Sequence, residues 1–187
     1  MIPIKNKKKT LQMTIEEMRN FAFAYTEKYA PSKQQLKTYL LKKYLKSSIS
    51  TVKKKDITDL IEIVTKDLED NKFISDKFYS YNKAKNLIRR GTSINKIKNY
   101  LISKGIKDEF IKETIYKIKD NNEDQDFFSA IKICKKKRIG PARSPDNRTL
   151  FYKKDISILA RSGFDFETSK KVLDIKEEDY LRIINLL

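Results

Sequence analysis

Apolar residues recur at spacings of three and four along most of this chain. The clearest such stripe contains Ile57, Leu60, Ile61, Val64 and Leu68. This spacing places side chains along one face of an α-helix, whereas a half-buried strand would need alternation at every second residue. Because that alternation is nowhere sustained, the pattern predicts an all-α protein.

Capping residues mark where several helices begin. Glu17 follows Thr14 by three positions, and Gln35 follows Ser32 by three positions. This is the pattern of a capping box, in which the two side chains accept hydrogen bonds from free amides at the helix start. Ser93 and Asp108 stand before other apolar stripes. We therefore predict that each of these two residues is an N-cap.

Glycines mark where other helices end. Gly91, Gly105 and Gly163 follow or lie close to basic residues, and a glycine just past a helix adopts the left-handed conformation easily. Ile106 and Phe164 follow two of these glycines, where a Schellman motif places an apolar contact. The predicted helices are 14–30, 33–46, 56–70, 75–90, 94–104, 108–119, 126–138, 150–162, 166–173 and 177–186.

These helices group in threes, which predicts an internal repeat of about 50 residues. The best match within the chain is 101–106 (LISKGI) beside 159–164 (LARSGF). A single three-helix unit has a marginal core, so units in series are expected to share apolar faces and form an elongated body. The predicted division is a flexible basic tail at 1–12, three-helix repeats at 13–72 and 73–121, and at 122–187 a third repeat plus a short C-terminal helix.

Composition removes most enzyme classes. The 187 residues include no histidine and one cysteine, Cys134, which excludes His-dependent nucleophile systems, His-ligated zinc and any internal disulfide. The four glycines form no phosphate-binding motif. We expect Cys134 to be a buried small apolar residue, because it follows Phe127, Ala130 and Ile131 at core spacing. No cofactor is expected.

The charge predicts an acidic partner. The net charge is +17, and it is uneven: +11 over residues 1–55, +1 over 56–125 and +5 over 126–187. Such a balance is typical of proteins that bind nucleic acid or a nucleoprotein. The lysines at the start have no apolar run behind them, and no run of 18 apolar residues exists, so we expect a cytoplasmic protein without a membrane partner.

Three ordered motifs carry a family resemblance. They are 84–93 (AKNLIRRGTS), 130–141 (AIKICKKKRIGP) and 159–164 (LARSGF). In this order and spacing the chain resembles the RecX family, regulators of the RecA recombinase, and most closely its alphaproteobacterial branch. The resemblance covers residues 73–175 well and 14–72 loosely, since the first repeat lacks a basic-Gly helix stop.

The resemblance implies a specific activity. RecX-like proteins are all-helical tandem repeats that bind RecA, usually as a filament on single-stranded DNA, and they are not enzymes. They lie in the filament groove or block its growth, and so restrain ATP hydrolysis, strand exchange and the stimulation of repressor cleavage. A monomer is expected, and direct contact with DNA remains open.

Exposed cations are the candidate contact residues. One set lies at helix ends and would form a ladder along one side of the repeats, although cations are also common at the C-terminal ends of helices for purely electrostatic reasons. A second set lies in the third repeat, where Lys135 to Arg138 cannot all share one helix face and part of the run must be solvated. The loop predicted at 139–149 is either a partner-binding loop or a connector. The candidates for binding RecA or DNA are Arg89, Arg90, Lys104, Lys136, Lys137, Arg138, Arg143 and Arg161.

Lysine clusters and aromatic residues leave other possibilities open. The lysines of 5–9 and 53–55 would add nonspecific attraction to nucleic acid, or would only solubilise the chain. Aromatic rings among lysines would stack on bases in a single-strand-binding protein, but most of these rings have core spacing. The rings predicted to be core are Phe21, Tyr25, Tyr39, Phe78, Phe110 and Phe127, whereas Tyr79, Tyr100, Tyr116 and Tyr152 are undetermined.

Two other functions compete with the RecA regulator. A DNA-binding transcriptional regulator would use 108–119 as a recognition helix, but its mixed acids and lysines argue against base recognition in the major groove. An enzyme such as a nuclease would need a carboxylate cluster or another site pattern, which the sequence lacks.

Overall fold

The structure, a computed structural model, describes residues 11–47, 53–121 and 124–187. Within these ranges the chain forms α-helices and one short 3-10 helix, and no strand, so the predicted all-α class is confirmed. The predicted basic tail, with the lysines of 5–9, lies outside them up to residue 10. The helices are α1 (Ile15–Tyr29), α2 (Lys33–Lys46), α3 (Lys54–Asp70), α4 (Asp76–Arg89), α5 (Ile94–Ser103), α6 (Asp108–Asn121), α7 (Gln125–Lys137), the 3-10 helix (Gly140–Ala142), α8 (Pro145–Arg161), α9 (Phe166–Leu173) and α10 (Glu177–Leu186).

The chain divides into two compact units, of which the first ends at Tyr79 and the second begins at Ser80. In the first unit, α1, α2 and α3 pack against one another around fully buried Met18, Leu36 and Leu40. Leu11 and Met13 also pack against this core.

In the second unit, α5 packs on α6, and α7, α8 and α9 surround the 3-10 helix. A buried cluster there includes Ile131, Cys134 and Leu159, each 0% exposed. The burial of Cys134 confirms its predicted packing role, and burial raises the pKa of its thiol to about 12.

Two equivalent hydrogen bonds recur at helix starts, one in each unit. Oδ1 of Asp76, in the first turn of α4, accepts a hydrogen bond of 2.9 Å from the amide of Lys33 at the start of α2. Oδ1 of Asp126, in the first turn of α7, accepts one of 2.8 Å from the amide of Ile94 at the start of α5. The recurrence of this hydrogen bond supports an internal structural repeat, while the division into three repeats stays a prediction.

The predicted start signals have mixed outcomes. The capping box of Ser32 and Gln35 is confirmed, since the Ser32 hydroxyl accepts from the Gln35 amide at 3.2 Å and the Gln35 side chain accepts from the Ser32 amide at 3.1 Å. Ser93 caps α5 as predicted, accepting from the Lys96 amide. The prediction for Asp108 is wrong, because the amides of the first turn of α6 bond to the carbonyl of Lys107, one residue earlier.

Helix ends are built as Schellman motifs, with and without glycine. At Gly105, the amides of Gly105 and Ile106 bond to the carbonyls of Ile102 and Leu101, and Ile106 is buried. Lys72 and Arg138 end α3 and α7 in the same left-handed conformation, with φ of 61° and 53°. The predicted ends of these two helices, at 70 and 138, are correct to within one residue, although no glycine marks either end.

Two further expectations are wrong. Helix α8 begins at Pro145 rather than at 150, because a proline fits the first helical position, where no amide partner is needed. The loop predicted at 139–149 is therefore largely helical. Phe78, predicted to be core, is 70% exposed. The buried face of α4 instead carries Ser80 and Ala84, and the hydroxyl of Ser80 lies 2.9 Å from that of Thr114.

Replacing Gly163 by alanine is expected to destabilise the second unit by more than the same change at Gly105. Both glycines have positive φ, 89° and 72°, which costs alanine about 1 kcal/mol. A Cβ on Gly163 would also lie 2.5 Å from the hydroxyl oxygen of Ser93, whereas Gly105 is exposed. Urea unfolding of the two variants measures the difference, and equal losses would show that the close approach at Gly163 has no energetic consequence.

Candidate partner-binding site

The C-terminal end of α4 presents two adjacent arginines. Arg89 and Arg90 are both exposed, and the Arg89 guanidinium donates a hydrogen bond to the side-chain oxygen of Asn86. The chain turns at Gly91, whose φ is 78° and whose amide bonds to the carbonyl of Ile88. Cations at a helix C-terminus are favoured by the backbone dipole, which explains their placement without yet giving them a role.

The turn at Gly91 lies directly against α7. A Cβ on Gly91 would lie 3.0 Å from Cβ of Lys132 and 3.0 Å from the carbonyl oxygen of Ser129. Only a glycine allows the end of α4 to approach α7 this closely. As a result, Lys132 lies beside the turn that follows the two arginines, although no sequence pattern singles it out.

The end of α8 meets the same turn from another side. The hydroxyl of Ser93, just after Gly91, donates a hydrogen bond of 3.0 Å to the carbonyl of Ser162. A Cβ on Gly163 would lie 2.8 Å from Cγ of Lys96. Arg161, the last residue of α8 and exposed, is thereby brought to the α4–α5 turn. We call the group of Arg89, Arg90 and Arg161, bordered by Lys96 and Lys132, the arginine corner.

Two carboxylates lie near this corner, and both bind backbone amides. Asp126 accepts from the Ile94 amide, and Asp165 caps α9 by accepting from the Thr168 amide at 2.6 Å. Burial is the main cause that raises the pKa of Asp126, while the hydrogen bond from Ile94 lowers it and the charge of Asp165 raises it further. Within the described residues, Arg89, Arg90 and Arg161 form no ion pair.

Replacing Asp126 by alanine is expected to destabilise the second unit by about 1 kcal/mol or more, because the Ile94 amide loses its partner. Asp126→Asn keeps an acceptor oxygen and removes a charge that folding disfavours, so we expect wild-type stability or higher at pH 7. Because folding raises the pKa of Asp126, its charged carboxylate lowers the unfolding free energy of the wild type at pH values above the folded-state pKa. This loss disappears as the pH falls from the folded-state pKa towards the unfolded-state pKa. Urea unfolding at pH 7 and pH 4 tests this, and equal losses for both variants at pH 7 would contradict it.

Comparison with known proteins gives the family. The chain is 31% identical to the regulatory protein RecX of Myxococcus xanthus (strain DK1622) over 160 residues, which are 84% of this chain and 84% of that protein. The chain belongs to the RecX family. It also resembles a crystal structure of regulatory protein RecX, with a TM-score of 0.61 and 16% identity over 86% of this chain and 74% of that one, which shows a shared fold. No family model matches the chain.

Membership of the RecX family confirms the predicted resemblance, while its assignment to the alphaproteobacterial branch stays a prediction. The relative is named a regulatory protein, and this chain is accordingly a RecX-like regulator. Among the described residues, no group of acidic or cysteine side chains is placed to hold a metal ion. None of the described helices is long and apolar enough to cross a membrane.

Other predicted contact residues of this RecX family protein lie away from the arginine corner. Lys104 follows the last residue of α5, about 15 Å along the helix from Ser93, and its ammonium lies 5.2 Å from the ring centroid of Tyr100. Arg143 precedes α8, whose 17 residues place Arg161 about 25 Å away along its axis. The predicted ladder of equivalent helix ends therefore brings together Arg89, Arg90 and Arg161 but not Lys104.

Arg143 forms an ion pair with the buried carboxylate of Asp155. Its Nε and a terminal nitrogen donate to the two carboxylate oxygens of Asp155 at 2.7 and 2.9 Å, and Asp155 also accepts from the Gly140 amide at 2.8 Å. The guanidinium also lies 4.6 Å from the ring centroid of Phe151. Arg148 donates to the carbonyl of Pro141 at 2.8 Å. Both arginines thus hold the 3-10 helix against α8.

The basic run at the end of α7 is exposed. Lys135, Lys136, Lys137 and Arg138 are all exposed, and Arg138 takes the left-handed conformation that ends the helix. Lys136 lies one turn after Lys132, on the same face of α7. The run therefore extends the positive charge of the arginine corner along α7.

Helix α6 has little free charge for reading DNA. Lys112 pairs with Asp108 at 2.8 Å, and Lys117 pairs with Glu113 at 3.0 Å. The hydrogen bond with Lys112 is the main cause that lowers the pKa of Asp108, which reflects this pairing. These contacts agree with the expectation that α6 is not a recognition helix.

Proposed function

We propose that this RecX family protein binds RecA and its filament on single-stranded DNA, and thereby inhibits the RecA ATPase, strand exchange and co-protease activities. The resemblance in sequence motifs and the family membership support the identity of the partner. In this proposal the protein acts in the cytoplasm as a monomer. It is a binding protein without a catalytic site or cofactor.

The observation that carries the proposal is the arginine corner. Three exposed arginines from two helix ends lie at or next to one turn, and none of them forms an ion pair within the described residues. A guanidinium binds carboxylates and phosphates with two parallel hydrogen bonds, so this group suits an acidic protein surface or a DNA backbone. The turn itself is fixed by backbone contacts, which reduces the ordering cost of binding.

The remaining candidate residues have graded roles in this proposal. Lys136, Lys137 and Arg138 supply salt-sensitive attraction to the filament, because they are exposed lysines and an exposed arginine on a helix end. Lys104 would contact a separate part of the filament. Arg143 acts indirectly, since its guanidinium is already bound by Asp155.

ATP hydrolysis by RecA on single-stranded DNA tests the proposal. The protein is titrated below one molecule per RecA at constant salt, beside an equally basic helical control protein. A decrease at low ratios, absent with the control, supports the proposal and indicates that filament growth is stopped. A decrease only at coating ratios, matched by the control, would mean competition by charge and would overturn it.

A further inference from the structure

A row of three tyrosine rings, joined at one end to Phe21 through a lysine, lies along α1 and α2 in the first unit. The rings of Tyr25 and Tyr39 are stacked, with centroids 4.0 Å apart and an angle of 10° between their planes. Tyr29 continues the row from Tyr25 at 4.8 Å. At the other end, the ammonium of Lys43 lies 3.8 Å from the ring centroid of Phe21 and 5.9 Å from that of Tyr39.

The row is anchored in the core but ends in solvent. Phe21, Tyr25 and Tyr39 are half-buried and pack against the first core, which agrees in part with their prediction as core residues. Tyr29 is 57% exposed, and the ammonium of Lys28 lies 5.3 Å from its ring centroid. Tyr25 and Tyr39 are therefore stacked on each other, whereas the ring of Tyr29 is tilted by 46° to that of Tyr25 and is the exposed end of the row.

The surface around the row is positive. Helix α2 contains no acidic residue. Two of its lysines, Lys33 and Lys37, pair with carboxylates of α3, but Lys42 and Lys46 are exposed and make no ion pair within the described residues. On α1, Glu27 is two residues from both Tyr25 and Tyr29, and positions two apart lie on nearly opposite sides of a helix.

We propose that this aromatic row and its lysines form a binding face for single-stranded nucleic acid, in which an unpaired base stacks on Tyr29 and Lys28, Lys42 and Lys46 bind phosphates. The face is separate from the arginine corner, and its binding does not require RecA. An unpaired base offers a free ring face, whereas the bases of a duplex are stacked on one another and offer none. An acidic peptide would pair with the lysines but would leave the exposed ring of Tyr29 without a stacking partner.

Binding of a fluorescein-labelled twelve-nucleotide dT strand to the full chain, measured by anisotropy without RecA, tests the face. Each stacked base contributes roughly 5- to 150-fold in affinity by alanine substitution, so we expect Tyr29→Ala to weaken binding at least fivefold. Tyr29→Phe keeps the ring and should bind within twofold of wild type. Tyr116→Ala is the matched control, because Tyr116 is an exposed tyrosine of α6 at 70% exposure.

Two further measurements separate stacking from charge, and a third locates the bound base. Tyr29→Ala should leave binding to a duplex of the same length unchanged. In Lys42→Gln/Lys46→Gln, the negative slope of log affinity against log salt concentration for the dT strand should become less steep, by about 0.7 per lysine removed. A photocrosslink from an iododeoxyuridine strand should map to Tyr29.

Three outcomes would overturn the proposal. Tyr29→Ala could bind the dT strand as tightly as Tyr116→Ala does, or it could lose equal affinity for the single strand and the duplex. The third outcome is that crosslinks are confined to the second unit. Because the assay contains no RecA, failure here leaves the proposed RecA regulation standing. Conversely, an inactive protein in the ATPase assay leaves this binding face standing.

Discussion

Replacing Asp155 by alanine is expected to lower the unfolding free energy of the second unit by about 3 kcal/mol or more. Asp155 is 0% exposed and accepts three hydrogen bonds, two from Arg143 and one from the amide of Gly140. Removing one member of a buried ion pair leaves the other partly desolvated and unpaired, which typically costs about 3–5 kcal/mol. Domains of this size are stable by only about 5–15 kcal/mol, so the loss is a large fraction.

The loss should depend on pH in a definite direction. Burial alone would raise the pKa of Asp155, but the hydrogen bonds from Arg143 and Gly140 outweigh it and hold the pKa below its usual value. The charged carboxylate is therefore favoured by folding. Its contribution is fully present above the unfolded-state pKa, near 3.9, and is lost as the pH falls through the folded-state pKa. The gap between wild type and Asp155→Asn should shrink on acidification below about pH 4.

Urea unfolding followed by circular dichroism, with hydrogen exchange in α7 and α8, measures the effect. Asp146→Ala is the control, because Asp146 is an exposed acid in the first turn of the same helix. It should lose less than about 1 kcal/mol. A loss at Asp155 as small as at Asp146 would show that the Arg143 pair does not stabilise this unit.

Short-range patterns predicted the helices well because each helix is specified locally. Ser32 with Gln35 and the glycine at 105 act within one turn of chain, and the structure confirms both. The errors arose where a residue's burial depends on a distant partner. Ser80 looks like a surface residue in sequence, yet it is buried because Thr114, 34 positions later, meets its hydroxyl. Phe78 is consequently left on the exposed face of α4.

The sequence singled out the three arginines of the candidate site but not their geometry, and their role in binding stays a prediction. Arg89, Arg90 and Arg161 were all singled out from helix ends, and Arg143 was grouped with them by charge. What separates them is long-range: Ser93 bonds to the chain 69 positions later, whereas Arg143 bonds to a buried aspartate 12 positions later. No spacing rule distinguishes a solvated arginine from one held in an ion pair when its acidic partner is three helical turns into the next helix.

Reversing the charge of the three corner arginines is expected to weaken inhibition of the RecA ATPase strongly. In Arg89→Glu/Arg90→Glu/Arg161→Glu, contacts with an acidic partner are lost and repulsion replaces them. We expect at least about a tenfold rise in the concentration that halves ATP hydrolysis. Helicity should be unchanged, because all three residues are exposed at helix ends and form no ion pair within the described residues.

The control must change the total charge equally, because any loss of positive charge weakens long-range attraction to a filament that contains DNA. Lys55→Glu/Lys66→Glu/Lys176→Glu does so at exposed positions outside the arginine corner. If the arginine corner binds the partner, the control variant loses only the inhibition that depends on long-range attraction. That loss of inhibition disappears at higher salt concentration, where exposed charges are screened. The corner variant should keep most of its loss there, since close contacts are screened less. Equal losses for both variants at every salt concentration would mean that net charge alone acts, and that the partner-binding surface lies elsewhere on the protein.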